Sequence, residues 1–105
     1  AEYTSLGCWW DNILRAITTL EGQDPILDGS YKFRVDAISK CYQATLRRGY
    51  RCFAVQAGGQ CYSSENACHT YNKYGRSPDC SPDGEGGVWS NNVYQISGEF
   101  HCSLR

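Results

Sequence analysis

Asp36-Ala-Ile-Ser-Lys-Cys-Tyr-Gln-Ala-Thr-Leu-Arg-Arg-Gly49, followed by Tyr50-Arg-Cys-Phe-Ala-Val-Gln-Ala-Gly-Gly-Gln-Cys-Tyr-Ser63, is the stretch that decides the fold. Its first half has helical spacing: Ile38, Cys41, Tyr42 and Thr45 fall on one face, with Asp36 placed to cap the start. Arg47 and Arg48 sit in the last turn, where cations favour the helix dipole, and Gly49 supplies a left-handed stop. The spacing predicts an amphipathic helix over about 36–48 with Cys41 on its buried face. The second half changes period. Tyr50 to Gln56 has the aromatic and β-branched content of a strand, Ala57-Gly58-Gly59 reads as a turn, and Gln60 to Ser63 returns as a second strand.

Outward from this core the signals weaken. Residues 63–87 are polar and rich in Gly, Pro, Asn and Asp, a long loop unless something pins it. Cys68 and Cys80 are the evident pins. Val93 to Ile96 predicts a further strand. Ile13, Leu14, Ile17 and Leu20 fit one helical face capped by Asp11 and stopped by Gly22, yet Arg15 to Leu20 also has strand content; periodicity leaves both readings open.

Seven cysteines lie among 105 residues. That density fits a disulfide-stapled domain from an oxidising compartment, secreted and extracellular. The count is odd, so one sulfur is left free or joins another chain. The length is that of a single domain over 1–105, and a hydrophobic content of 41% points to bridges supplementing a thin core. A net charge of −1 gives no footprint for nucleic acid or an anionic membrane, and no apolar run is long enough for a membrane span. The start at Ala1-Glu2-Tyr3 and the absence of Met fit a mature product after signal removal; a chain trimmed for other reasons would begin the same way.

Leu6-Gly7-Cys8-Trp9, Asp11 and Arg15-Ala16-Ile17, then Lys40-Cys41, then Phe53-Ala54-Val55-Gln56 leading to Gln60-Cys61, and finally Gly86-Gly87-Val88-Trp89 through Val93-Tyr94, form an ordered series. This series resembles the WSC domain, a small cysteine-rich extracellular module. It is closer to a WSC-like variant in secreted proteins of marine invertebrates, over roughly Tyr3 to Ile96. The resemblance implies a small α+β fold with one main helix packed on a small antiparallel sheet, and favours the extended reading of Arg15 to Leu20. It also implies Cys41 paired with Cys61, and Cys8 with Cys80. The Cys-x-Cys of WSC domains is absent at Cys61, and Cys52, Cys68 and Cys102 are additions, so the whole disulfide map does not carry over. Seven cysteines with one left over allow on the order of a hundred pairings. The expected third bridge is Cys52 with Cys68. That leaves Cys102 as an interchain or free thiol, the former giving a disulfide-linked homodimer; the alternative pairs Cys102 internally and frees another cysteine.

No catalytic motif accompanies the cysteines, so the expectation is a non-enzyme without cofactors. WSC domains are associated with polysaccharides and other extracellular surfaces, which implies a glycan partner and a lectin-type function. The alternative is a matrix, defence or toxin-like factor acting on a protein. Indoles stack on the C–H faces of sugars while amides and carboxylates bond hydroxyls, so the candidate ligand residues are Trp10, Asp11, Asn12, Arg15, Trp89, Asn91 and Asn92. Trp10 is the indole expected to be exposed; Trp89, in the closing motif, also has a structural reading. Asp11 and Arg15 read either as a structural pair or as a clamp for an acidic sugar. Asp79, Asp83 and Glu85 offer oxygen ligands for calcium, against the simpler reading of a solvated turn. Cys68-His69 and His101-Cys102 lack the close cysteine pairs of a structural zinc site.

Overall fold

The computed structural model describes residues 2–97. Its elements are β1 (Tyr3–Trp10), α1 (Ala37–Arg47), β2 (Cys52–Gln56), β3 (Gln60–Ser63), α2 (Ala67–Thr70) and β4 (Ser90–Ile96), with two single 3-10 turns at Pro25–Leu27 and Tyr31–Phe33. The strands form one antiparallel sheet in the order β1-β4-β2-β3. This is the α+β fold expected, one main helix on a small antiparallel sheet. Cys102 and His101 lie outside the described residues.

Period-two alternation in β2 divides the core. Phe53 and Val55 face α1, joining Leu20, Leu27, Ala37, Cys41, Ala44, Tyr94 and Ile96. Cys52 and Ala54 face the other way, with Ala16, Ile17, Tyr62, Ala67 and Val93. Both faces of β2 are therefore covered, and all five of its residues are buried. Tyr3, Phe53 and Tyr94 pack ring to ring at centroid distances of 5.2 to 5.6 Å. Aromatic rings do much of the packing that Leu and Val do in larger domains.

The three bridges are Cys8–Cys80, Cys41–Cys61 and Cys52–Cys68, which agree with the expected pairs. Cys8–Cys80 spans a sequence separation of 72, against 20 and 16 for the others. In the chain-entropy account it contributes about 4 kcal/mol and each of the others about 3. Cys68 and Cys80 pin the polar loop as anticipated. The loop nonetheless holds α2, a single turn too short to show periodicity, and Arg76 bridges to Trp9 on the edge of β1.

Two local expectations need correction. Asp36 precedes α1 but makes no side-chain capping bond, because its backbone is left-handed (φ 52°) where a capping residue is normally extended. Arg15 to Leu20 forms no strand: the chain bends at Ala16 and Ile17, and within the segment Thr19 alone bridges Tyr62, with Leu20 N–H donating to the Cys61 carbonyl at 2.9 Å.

The segment between residues 21 and 34 is held by ion pairs that no local pattern announced. Arg34, its side chain only 2% exposed, donates to both carboxylate oxygens of Glu21 (2.7 and 3.0 Å) and to the carbonyls of Gly59 and Leu27. Asp24 accepts from Arg47 at 2.9 and 3.0 Å and from the Ile26 amide at 3.0 Å, tying the first 3-10 turn to the end of α1. The Arg47 hydrogen bonds, with the Ile26 amide, lower the Asp24 carboxyl to about 2. A depressed folded-state value means stability that is present above the ordinary carboxylate range and is lost as pH falls from about 4 toward 2. Unfolding followed at several pH values should show the wild type losing more stability across that window than Asp24→Asn; equal losses would assign the acid sensitivity elsewhere.

Candidate functional site

The backbone reverses between Gly87 and Ser90, whose amides and carbonyls bond mutually at 3.0 and 3.1 Å. Val88 and Trp89 form the tip of this turn. Trp89 has φ 56°, a conformation that a bulky side chain adopts only at a cost of about 1–2 kcal/mol and that glycine would take freely. The residue is nonetheless 42% exposed, so deep burial of the indole does not offset that cost. Strained backbone of this kind concentrates at functional positions.

Beside the tip, residues 11–16 are folded around one carboxylate. Asp11 N–H donates to the Trp89 carbonyl at 2.8 Å, and Asp11 Oδ1 accepts from the Ala16 amide at 2.9 Å. Its Oδ2 accepts from Arg15 Nη1 at 2.7 Å and from Gln56 Nε2 at 2.8 Å. The second proton of the Gln56 amide goes to Asn91 Oδ1 at 2.8 Å. Burial pushes the Asp11 carboxyl up, but the bonds from Ala16, Arg15, Gln56 and Asn12 outweigh it and hold the group below its usual range. Asn91 Nδ2 is the buried side-chain donor left without a hydrogen-bond partner among the described residues.

This network aims the Arg15 guanidinium between two rings, 4.8 Å from the Trp89 centroid and 5.2 Å from that of Tyr62. Such contacts contribute about 0.5–1 kcal/mol each at partly exposed positions and prop the indole in place. On the Tyr62 side an open cleft of about 400 Å³ is lined by Arg15, Thr18, Thr19, Glu21, Gln60 and Tyr62. Gln56→Leu should leave Asp11 and Asn91 without a shared donor and loosen the placement of the Asp11–Arg15 pair. Near-ultraviolet circular dichroism should then report a changed indole environment with the overall fold kept; an unchanged spectrum would show that Gln56 does not position Arg15.

Of the candidate ligand residues, Asp11, Arg15, Trp89 and Asn91 are brought together, but in different roles. Asp11 and Asn91 are buried and present no side chain to a ligand; Asp11 holds Arg15 directly, and Asn91 braces the Gln56 amide that also bonds Asp11. The structural reading of the Asp11–Arg15 pair is therefore realised, with 34% of the Arg15 side chain still exposed. The expectation for the indoles reverses. Trp10, expected to be exposed, is half-buried, its backbone amide donating to the Gly75 carbonyl, while Trp89 projects. Trp9 is half-buried against Tyr71 and Arg76. Asn92 is occupied, its Oδ1 accepting from the Gly86 amide at 2.8 Å; Asn12 is exposed.

Asp79, Asp83 and Glu85 do not form a calcium site. Asp83 Oδ1 accepts the Glu85 amide at 2.9 Å, closing a local turn, and among the described residues no group of three His, Cys, Asp or Glu could hold a metal ion. Sequence reading missed Gln56, Tyr62 and the cleft. Gln56, a polar residue closing an otherwise apolar strand, was the one available signal. In comparison with known proteins, the chain matches no family model and no curated relative.

Proposed function

We propose that this chain is a secreted, non-catalytic carbohydrate-binding module of WSC-like type, with Trp89 as the stacking platform. The observation that carries the proposal is an indole held exposed, in a left-handed turn, by a cation stacked against it. Flat indole faces suit the C–H face of a sugar ring, and the hydroxyls and amides of Thr18, Thr19 and Gln60 suit its hydroxyls. The three disulfides support an oxidising compartment, and among the described residues no helix is long and apolar enough to cross a membrane. Six of the seven cysteines are used by the bridges, so a disulfide-linked homodimer through Cys102 belongs to the proposal; non-reducing electrophoresis reads it directly.

Glycan-array binding tests the function. Trp89→Ala should reduce binding at least about tenfold, the loss expected for one stacked ring near 1.4 kcal/mol. Its stability should fall by no more than about 1 kcal/mol, the contribution of the Arg15 stacking contact that the variant loses. An array with no signal, or a variant that binds equally well, would sink the reading.

A second reading rests on a separate observation. Ile13, Leu14 and Val88 are 80%, 73% and 76% exposed on the two loops that meet at the Asp11–Trp89 hydrogen bond. Apolar side chains gathered on adjacent loops favour a protein partner. Capture of a partner that free sugars do not displace, and that Ile13→Ser with Leu14→Ser abolishes, would support that version.

A further inference from the structure

Resting on the carbohydrate reading, we infer that the ligand is a neutral saccharide, because each charge at the cleft is already cancelled within the protein. Arg15 lies 2.7 Å from a buried carboxylate oxygen of Asp11. Glu21 is bonded twice by Arg34, and its Oε2 also accepts the Cys61 amide at 2.8 Å. The remaining lining residues, Thr18, Thr19, Gln60 and Tyr62, carry no charge at neutral pH. Burial raises the Tyr62 phenol further from ionisation.

A uronate or sulfate would need Arg15, and Asp11 already holds it. Asp11 cannot swing aside to yield the cation, since the Ala16 amide and Gln56 fix both its oxygens. An incoming anion would also approach Glu21 with no cation to spare, as Arg34 is enclosed. What Arg15 keeps is hydrogen-bonding capacity: its bonds run from Nη1, leaving Nε and Nη2 for a hydroxyl. Nor does a cation-bridged mode fit, because the Glu21 oxygens are engaged.

The test is titration of the whole native chain with matched neutral, uronic and sulfated oligosaccharides, with and without chelator, across salt. Between about 0.1 and 1 M salt the Debye length falls from about 10 to 3 Å, so binding through a free charge would weaken severalfold. The expected result is binding of neutral sugars that changes less than about twofold over that range and with chelator. Acidic sugars binding about tenfold tighter than their neutral counterparts, with loss at high salt, would overturn this inference and leave the carbohydrate reading standing. No binding to any sugar would instead remove the carbohydrate reading, and this inference with it. Asp11→Asn supplies the converse: freeing the charge of Arg15 should bring salt-sensitive binding of uronates, and a variant as indifferent to them as wild type would count against the charge-cancellation account. Should that variant fail to fold, the salt series on the native chain decides alone.

Discussion

Gly86→Ala is expected to destabilise the domain by about 3–5 kcal/mol, enough to leave little folded protein in a chain of this size. Gly86 has φ 75°, and a Cβ there would overlap the Val55 carbonyl oxygen and stand 2.7 Å from both the Gln56 Cα and the Ser90 carbonyl oxygen. All three are backbone at one end of the two inner strands, so no side chain can rotate away. The same residue donates its amide to Asn92 and accepts from the Ser81 amide, so displacing it loosens the whole approach to the Trp89 turn. Gly58→Ala is the control. Gly58 is also left-handed, at φ 89°, but nothing lies within 4 Å of its would-be Cβ, so only the backbone cost of about 1 kcal/mol should appear. Urea denaturation of the two variants side by side checks the contrast. Similar losses would show that left-handed strain, and not close approach, makes glycine necessary at 86.

Arg34→Ala should cost about 3 kcal/mol, the lower end of the range for removing one partner of a buried pair. The lower end applies because Glu21 is 25% exposed and can recover some hydration. The carbonyls of Gly59 and Leu27 lose their donors as well, and unsatisfied buried acceptors add to the loss. Arg34→Lys should rescue only part of the stability, because an ammonium cannot reproduce a planar fork shared between one carboxylate and two carbonyls. A lysine variant as stable as wild type would reduce Arg34 to a point charge. Since Glu21 lines the cleft, the alanine variant should also weaken ligand binding beyond what its folded fraction explains.

Much of the scaffold was legible because it is local. The helix announced itself through Cys41, Thr45 and Gly49, and the hairpin through Gly58-Gly59 between two apolar runs. Oxidation followed from cysteine density alone. The pairing of those cysteines came from resemblance, since spacing does not choose among so many maps. The site was legible only in part. Asp11, Arg15, Trp89 and Asn91 were each singled out as ligand candidates, with a structural pair as the other reading of Asp11 and Arg15, and Asp11 and Asn91 prove to be buried struts.

The errors have a common origin. Asp11 meets Gln56 across 45 residues, Gln56 meets Asn91 across 35, and Arg34 meets Glu21 only because the 3-10 turns fold back on the hairpin. Trp89 projects from a left-handed backbone position, and Asp36, left-handed as well, makes no capping bond; neither dihedral is written in the local sequence. Residue order set the elements, their polarity and the need for sulfur cross-links. The placing of β4 between β1 and β2 decided the rest, because it brings Trp10, Gln56 and Asn91 to one end of the sheet. Hydrogen bonds and stacking act over a few ångströms, so chain neighbours foretell the pieces, and only the completed sheet determines which side chains meet.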